Sequence, residues 1–337
     1  MGVQYVPYNT IATSPALAKP ESGRQLHLWA ACLLALFSSA AAQNYPLKTV
    51  RIVSSGPGGS ADFAARLIAQ EITPALGQRV IVENRPSGVI PADVVARSAP
   101  DGHTLLVASS VLWIVPLLQS APFDAVRDFA PVSMLSRIPN MIVVHPSLPV
   151  KSVRDLIALG KARPGVINYA STSVGGSTHL AAEYFKLLAG VDMLRINYKG
   201  TGPALNALMA GEVQAMFPTA GSTSGHVKSG RLRALAVGSA QPSALLPGVP
   251  TIAATGLPGY ESVAMYGMFA PAKTPAPAIR RLNEDISRLL WALDLMEKLL
   301  NAGTESGGGA PDQFANIIKA EMTRLGKLIR NVGIRDK

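Results

Sequence analysis

The sequence predicts an α/β protein with two lobes and a ligand cleft between them. Strand-like runs rich in β-branched residues alternate with helical patterns from residue 49 to residue 110, and the alternation restarts after residue 146. Such alternation is typical of parallel sheets covered by helices. The carboxyl third then returns with one strand and two long helices. Two Rossmann-like domains joined by a two-segment hinge are therefore expected, with crossings at 138–146 and 263–270.

The first unit is predicted from apolar runs with helical patterns between them. Its strands are expected at 49–55, 79–84, 104–110 and 141–146. A helix from Ala61 repeats apolar residues at helical spacing and ends before Gly77, and a second helix is expected near 91–98. Segment 111–115, which follows the third strand, is assigned to a loop.

The second unit repeats this order of strands and helices. The alternation ends at the Pro- and Gly-rich segment 242–259. Its strands are expected at 166–171, 194–198, 213–217 and 232–238, and its helices at 152–162, 178–189 and 203–210. A strand at 266–272 and amphipathic helices at 275–301 and 311–332 complete the chain. The predicted domains are residues 43–146 together with 263–337, and residues 147–262.

The composition favours a packed globular protein and limits the classes of molecule that it is expected to bind. Of the 337 residues, 48% are hydrophobic and 15% are charged, which is unlike a disordered chain. The net charge of +10 admits nucleic acid, membrane surfaces and acidic solutes. Because no run of five like charges occurs, no nucleic-acid partner is expected. One cysteine and widely spaced histidines favour neither a disulfide nor a metal site, and no cofactor is expected.

An N-terminal segment is predicted to be removed. The apolar run 28–37 follows Lys19 and Arg24 and precedes small residues that end at Ala42, which is typical of a secretory signal peptide. The run is about half the roughly 20 residues that a membrane-spanning helix needs. We therefore expect residues 1–42 to be a signal peptide that is cleaved near Ala42, and Cys32 to leave with it.

Three turns between a strand and a helix are candidates for binding an anion. They are rich in glycine and hydroxyl groups and comprise residues 56–60, 171–177 and 198–203. In open α/β sheets ligands bind at the carboxyl ends of strands. The free N–H groups and the dipole of a helix start favour negative charge there. A tight turn with Ser60 as N-cap and Asp62 as first-turn acid is an equally good interpretation of the first loop.

A catalytic alternative would use the same cleft. His179 lies in the first turn of a predicted helix that opens on the cleft, and with a hydroxyl nucleophile it would make a hydrolase. A structural polar contact is the more common role of such a histidine. The segment 221–225 has Thr223 where a nucleophile elbow requires serine. No enzyme activity is therefore expected.

An ordered set of motifs carries a resemblance to a known family. The motifs include GPGGSADFAARLIA, SAPDGHTLL, YASTSVGGSTHLAAEYFKLLAGV and INYKGTGPALNALMAGEV. The set covers nearly all of 45–337 and resembles the signatures of periplasmic solute receptors of the tripartite tricarboxylate transporter type, the Bug family. The resemblance implies a periplasmic location and a two-lobed, type II-like periplasmic-binding-protein fold. It also implies the capture of a small carboxylate for uptake or sensing. We expect a monomer, and membrane transporter subunits are candidate partners that the sequence alone does not decide.

The resemblance further implies which residues hold a carboxylate, through backbone amides and ordered water. These are Gly58, Gly59 and Ser60 in the first loop, Tyr198, Lys199 and Gly200 in another, and Ser171, Gly176 and Ser177 in a third. The other candidate ligand-binding residues are Asp62, Ser109, Ser110, His179 and Thr219.

Three departures from the family pattern bear on the ligand. Pro91 interrupts a stretch that is usually rich in glycine, and Thr219 follows a proline where an acidic residue is common. Segment 111–115 is more apolar than usual, so Trp113 either faces an aromatic or hydrophobic ligand body or belongs to the core. The expected ligand is a dicarboxylate or an aromatic acid.

Overall fold

Two mixed β-sheets covered by helices form the scaffold of the protein. The computed structural model describes residues 45–58, 60–85, 89–172 and 174–334, so the predicted signal peptide lies outside the described residues. The strands are β1 (Val50–Ser54), β2 (Val80–Asn84), β3 (Thr104–Ser109), β4 (Phe129–Pro139), β5 (Met141–Val144), β6 (Asn168–Ser171), β7 (Leu194–Asn197), β8 (Ala215–Met216), β9 (Arg233–Val237), β10 (Val263–Pro271) and β11 (Glu305–Ser306). The helices are α1 (Ser60–Leu76), α2 (Ile90–Ala96), α3 (Val111–Leu118), α4 (Val153–Ala162), α5 (Ser177–Ala189), α6 (Thr201–Met209), α7 (Ala220–Lys228), α8 (Ile252–Thr255), α9 (Ala276–Leu290), α10 (Leu293–Asn301) and α11 (Pro311–Val332).

The two sheets form the two lobes, and the predicted α/β, two-lobed fold is confirmed. The first sheet has the order β11-β4-β10-β3-β1-β2, and the second has the order β7-β6-β8-β5-β9. Strands β1, β2 and β3 are parallel, as are β6, β7 and β8. Their carboxyl ends therefore meet at one edge of each sheet, where the candidate loops begin.

Strands β5 and β10 depart from the parallel arrangement. Strand β10 pairs antiparallel with β3 and β4, and β5 pairs antiparallel with β8 and β9. The chain passes from β4 in the first sheet to β5 in the second through the single residue Asn140. The lobes are thus joined by a direct strand connection. Strand β5 lies ahead of the predicted domain boundary at residue 146, and its partners belong to the second sheet.

The predicted loop at 111–115 is wrong, because these residues form helix α3. Leu112, Trp113 and Ile114 are buried within it. The indole of Trp113 packs edge-on against Phe314 and donates a hydrogen bond of 2.6 Å from Nε1 to Glu321. Trp113 therefore belongs to the core, and the burial of this apolar run outweighs its weak helix propensity.

The single helix predicted at 275–301 is also wrong, because the chain forms α9 and α10 with an extended residue, Ala292, between them. Trp291 beside the break is 66% exposed. The break lets Leu290 at the end of α9 and Leu295 in α10 enter the same core, together with Leu299. A straight helix presents one continuous face and would not bring both segments onto the curved sheet surface.

Candidate functional site

The first candidate loop joins β1 to α1 and is held in place by Asp62. Gly58 has a φ of +82°, a conformation that glycine adopts without strain. Its N–H donates a hydrogen bond of 2.9 Å to Oδ2 of Asp62, and Nδ2 of Asn84 donates one of 2.7 Å to Oδ1. Arg66 lies 2.9 Å from the same carboxylate. Asp62 is only 4% exposed, so it positions the loop from below, while Ser60 is exposed on it.

The charge of Asp62 is stabilised where it lies. Burial alone would raise the pKa of this carboxyl, but the hydrogen bonds from Asn84, Gly58 and Arg66 outweigh burial and hold the pKa below its ordinary value. A contact between Asp62 and a ligand stays a prediction. Gly59, which was expected to contribute its amide, lies outside the described residues.

The second group of first-lobe candidates lies at the end of β3. Ser109 is half-buried, and its Oγ accepts a hydrogen bond of 3.4 Å from the N–H of Val111. Ser110 is buried, and its N–H donates to the carbonyl of Met265 in β10 at 2.9 Å. Since β1 and β3 are neighbours, these serines lie at the same sheet edge as the Gly58 loop.

The 171–177 loop of the second lobe begins with a buried hydroxyl group, that of Ser171. Ser171 is fully buried at the end of β6, and its Oγ has no hydrogen-bond partner among the described residues. Buried polar groups are normally satisfied, so this hydroxyl has capacity to bind water or a ligand. The neighbouring loop is tied to it, because the N–H of Tyr198 donates to the carbonyl of Ser171 at 2.9 Å.

His179 positions this loop as a hydrogen-bond acceptor. Its Nδ1 accepts from the N–H of Gly175 at 3.0 Å, and the residue is 5% exposed. Burial, followed by repulsion from Arg195, lowers the pKa of the imidazole to about 4. The ring is therefore neutral near pH 7, with its Nδ1 lone pair committed to the loop. This geometry lends no support to the alternative of a hydrolase that uses His179.

Asn140, at the passage between the lobes, was not predicted from the sequence. Its Oδ1 accepts hydrogen bonds from Ser177 at 2.9 Å and from Ser262 at 3.1 Å, and its Nδ2 donates to the carbonyl of Phe217 at 2.9 Å. The residue is 1% exposed. Its place directly after Pro139 inside the predicted crossing is a signal that points to a hinge but gives no partners.

The remaining second-lobe candidates lie on helix starts. Gly176, Gly200 and Thr219 are the residues that precede α5, α6 and α7, and none provides a side-chain cap. Lys199 is exposed, and Tyr198 and Thr219 are half-buried. Helix α4 follows the antiparallel strand β5, and it is capped by Ser152, whose side chain accepts from the N–H of Asp155. Helices α5, α6 and α7, which follow the parallel strands β6, β7 and β8, thus present first-turn N–H groups that no N-cap side chain accepts from.

The lobes touch at two glycines. A Cβ on Gly175 would lie 2.1 Å from Cδ1 of Leu118 in the first lobe, and a Cβ on Gly221 would lie 2.3 Å from the carbonyl oxygen of Gly303. In the described part of the chain, no hydrogen bond joins the first-lobe candidates to those of the second lobe. Ser110 of the first lobe and Ser177 of the second lobe line one small cavity, together with Asn140 and Ser262. The other candidates lie in two sets, one in each lobe.

Two features are absent from the described residues, a cluster of metal ligands and a membrane-spanning helix. Among them, no group of three histidine, cysteine or acidic side chains is arranged to hold a metal ion. Within the same residues, no helix is both long and apolar enough to cross a bilayer.

Comparison with known proteins gives concordant matches. The family described as "Tripartite tricarboxylate transporter family receptor" matches residues 64–334. Protein BugT of Bordetella pertussis is 36% identical over 302 residues, 88% of this chain and 93% of that protein. The solved structure of R. palustris Rpa4515 with adipate is 33% identical with a TM-score of 0.72, covering 86% of this chain and 99% of that one. MatC of Rhodopseudomonas palustris with bound malate is 29% identical with a TM-score of 0.68, covering 85% and 100%.

Proposed function

The chain belongs to the tripartite tricarboxylate transporter receptor family, and from that premise we propose that it is an extracytoplasmic solute-binding protein that captures a small carboxylate in the cleft between its lobes. The ligand class is a dicarboxylate or an aromatic acid. The family is one of receptors, and we extend this to the proposal that the chain performs no chemistry of its own.

The observation that carries the proposal is the set of uncapped helix starts at one edge of the second sheet. Helices α5, α6 and α7 begin after Gly176, Gly200 and Thr219 without side-chain caps. Their first-turn N–H groups and dipoles favour an anion. The buried hydroxyl of Ser171, which has no hydrogen-bond partner among the described residues, lies at the same edge. These N–H and O–H groups are hydrogen-bond donors, and a carboxylate has only acceptors. The two sets of groups are therefore complementary.

Dipoles alone give too little binding energy for a useful receptor. A helix end contributes about 0.3 to 1 kcal/mol when exposed and about 2 kcal/mol when partly buried. A micromolar ligand requires about 8 kcal/mol. Direct hydrogen bonds therefore have to provide the rest, from the amides at Ser60 and Gly200 and from the hydroxyl of Ser171. The N–H of Gly58 and the hydroxyl of Ser177 already donate to Asp62 and Asn140.

A periplasmic location and a membrane partner belong to the same proposal. The relatives BugT and MatC match over nearly their full length, and the sequence carries a signal-peptide pattern that ends at Ala42. We propose that the mature chain is a monomer whose ligand-bound form is recognised by transporter subunits. N-terminal sequencing of the exported protein is expected to begin near Gln43, and a mature chain that keeps Trp29 would refute the signal peptide.

The proposal is tested by a thermal-shift screen of aliphatic and aromatic mono-, di- and tricarboxylates on the mature protein. A ligand present at a hundred times its dissociation constant stabilises the folded state by about 2.7 kcal/mol, which a melting curve resolves. At least one carboxylate is expected to raise the melting temperature. A panel without any shift would refute carboxylate capture, and turnover of an ester or amide that is lost in His179→Ala would establish the hydrolase instead.

A further inference from the structure

A cavity in the first lobe lies directly beside the first candidate loop. Its volume is about 180 Å³, and Ala61 in the first turn of α1 forms part of its wall together with the end of β3. Ser55, which follows β1, and Ser109, which ends β3, lie at its polar side. A carboxylate held at the start of α1 would therefore have the rest of its carbon skeleton beside this cavity.

The lining of the cavity is almost entirely apolar. Val89, Pro91, Val111, Val115 and Phe123 contribute side chains, and none of the described lining residues is charged. Ser55 and Ser109 are the polar side chains among them, and Ser109 already accepts a hydrogen bond from the N–H of Val111. A hydroxyl or second carboxylate inside the cavity would lose its water with few partners in return, which opposes binding.

The size of the cavity suits a ring or a short branched chain. An apolar protein cavity of about 150 Å³ binds benzene, and this one is somewhat larger at about 180 Å³. Each buried methylene group strengthens binding by about fourfold. A body of six carbons thus provides a large affinity gain that a four-carbon hydroxy acid, which exposes polar groups along its whole length, does not obtain.

We infer that the ligand is a monocarboxylate with an apolar body of about six carbons, whose body fills the cavity lined by Val111, Val115 and Phe123 while its carboxylate lies at the start of α1. The inference rests on the proposed function; within small carboxylates it excludes dicarboxylates and admits aromatic and aliphatic acids with a single carboxylate. It replaces the sequence-based hypothesis that Trp113 faces the ligand, since Trp113 is fully buried in the core.

Two matched pairs of probes test the inference by calorimetric titration of the mature protein. Benzoate is compared with malate, and hexanoate with adipate, which differs from hexanoate by a terminal carboxylate. Benzoate and hexanoate are expected to bind at least tenfold more tightly than their partners. Equal or tighter binding of malate and adipate would overturn the inference and leave carboxylate capture standing. No binding of any of the four would overturn the inference, whereas carboxylate capture itself is refuted only by a full thermal-shift panel without any shift.

A pair of variants locates the apolar body. Val111 is 44% exposed at the first position of α3, so asparagine is tolerated there. Val111→Asn is expected to weaken benzoate binding at least tenfold and to change malate binding less than twofold. Val126→Asn, at a residue with the same degree of exposure outside the cavity lining, is expected to change neither. Unchanged benzoate affinity in Val111→Asn, with its melting temperature retained, would contradict the inference.

Discussion

The hydroxyl of Ser177 donates a hydrogen bond of 2.9 Å to Oδ1 of Asn140 and so connects the first residue of a cleft helix to the strand passage between the lobes. The same oxygen accepts from Ser262, which precedes the second crossing, β10. One buried amide thus links both predicted hinge segments to the 171–177 candidate loop. We expect a movement of the hinge to displace Ser177, so that a carboxylate bound at this loop would bias closure.

Asn140→Ala is expected to lower the free energy of unfolding by about 2 kcal/mol or more, because it removes two acceptor contacts and leaves the carbonyl of Phe217 without its donor. Urea denaturation followed by circular dichroism measures the loss. Asn301→Ala, at an exposed asparagine that ends α10, is the matched control and is expected to change stability by less than about 0.5 kcal/mol. Equal losses in the two variants would refute the hinge role of Asn140.

Two glycines of helix α7 provide a test of the close contact between the lobes. Gly221→Ala places a Cβ 2.3 Å from the carbonyl oxygen of Gly303, and a backbone atom cannot turn away, so a loss of about 1 to 3 kcal/mol is expected. Gly225 has open space around it, and Gly225→Ala is expected to stabilise the helix by about 0.5 to 1 kcal/mol. Thermal melts are expected to show a lower melting temperature for Gly221→Ala and a higher one for Gly225→Ala. Shifts in the same direction would contradict the close contact between Gly221 and Gly303.

Glu321 is expected to make stability fall as the pH rises. Burial raises the pKa of its carboxyl from 4.5 to about 7, against the hydrogen bond from Trp113 and the charge of Arg324. The folded state then holds a proton that the unfolded state releases, so the stabilisation is complete below about pH 4.5 and is lost as the pH rises through about 7. The difference is of the order of 3 kcal/mol.

Urea denaturation at pH 5 and pH 7.5 measures this effect. Glu321→Gln keeps an acceptor for Trp113 and carries no charge, so it is expected to remove most of the dependence on pH. Glu284→Gln, at an exposed position on α9, is expected to leave it unchanged. A variant Glu321→Gln whose stability varies with pH as strongly as that of the wild type would show that another group is responsible.

His179 is expected to stay neutral from pH 5 to pH 8. Its pKa is lowered to about 4, so the stability that depends on its neutral form is present above about pH 6.5 and is lost as the pH falls through about 4. Imidazole resonances followed by NMR are expected to show no titration of this ring above pH 5. A midpoint near 6.5 would contradict its burial and its hydrogen bond from Gly175.

The strand and helix order was predictable from the sequence wherever one periodicity dominated. Strand β4 was missed because Pro131 and Pro139 lie within it, and prolines argue against a strand. Helix α3 was missed because its residues favour strands and Pro116 lies inside it, whereas burial against Phe269 and Phe314 decides its structure.

The loops of the candidate site were predictable from the sequence, but the hydrogen bonds that hold these loops in place were not. Glycine-rich turns after strands are visible in the sequence, so the 56–60, 171–177 and 198–203 loops were found. The Asn140 cluster joins residues that are 37, 77 and 122 positions apart, and nothing local indicates such pairs. Asp62 was predicted as a ligand-binding residue, but one of the hydrogen bonds that hold its carboxylate comes from Asn84 in β2, 22 positions away in the chain.

Carboxylate capture at the first loop is tested by calorimetric titration of the wild type and Ser60→Asp with the carboxylate that gives the largest thermal shift. Ser60 is exposed at the first turn of α1, so aspartate there adds a negative charge where the carboxylate is proposed to lie. Binding is expected to weaken at least tenfold, while Ser229→Asp, which adds the same charge at the far end of α7, leaves affinity within twofold. Unchanged affinity in Ser60→Asp would contradict carboxylate capture at this loop.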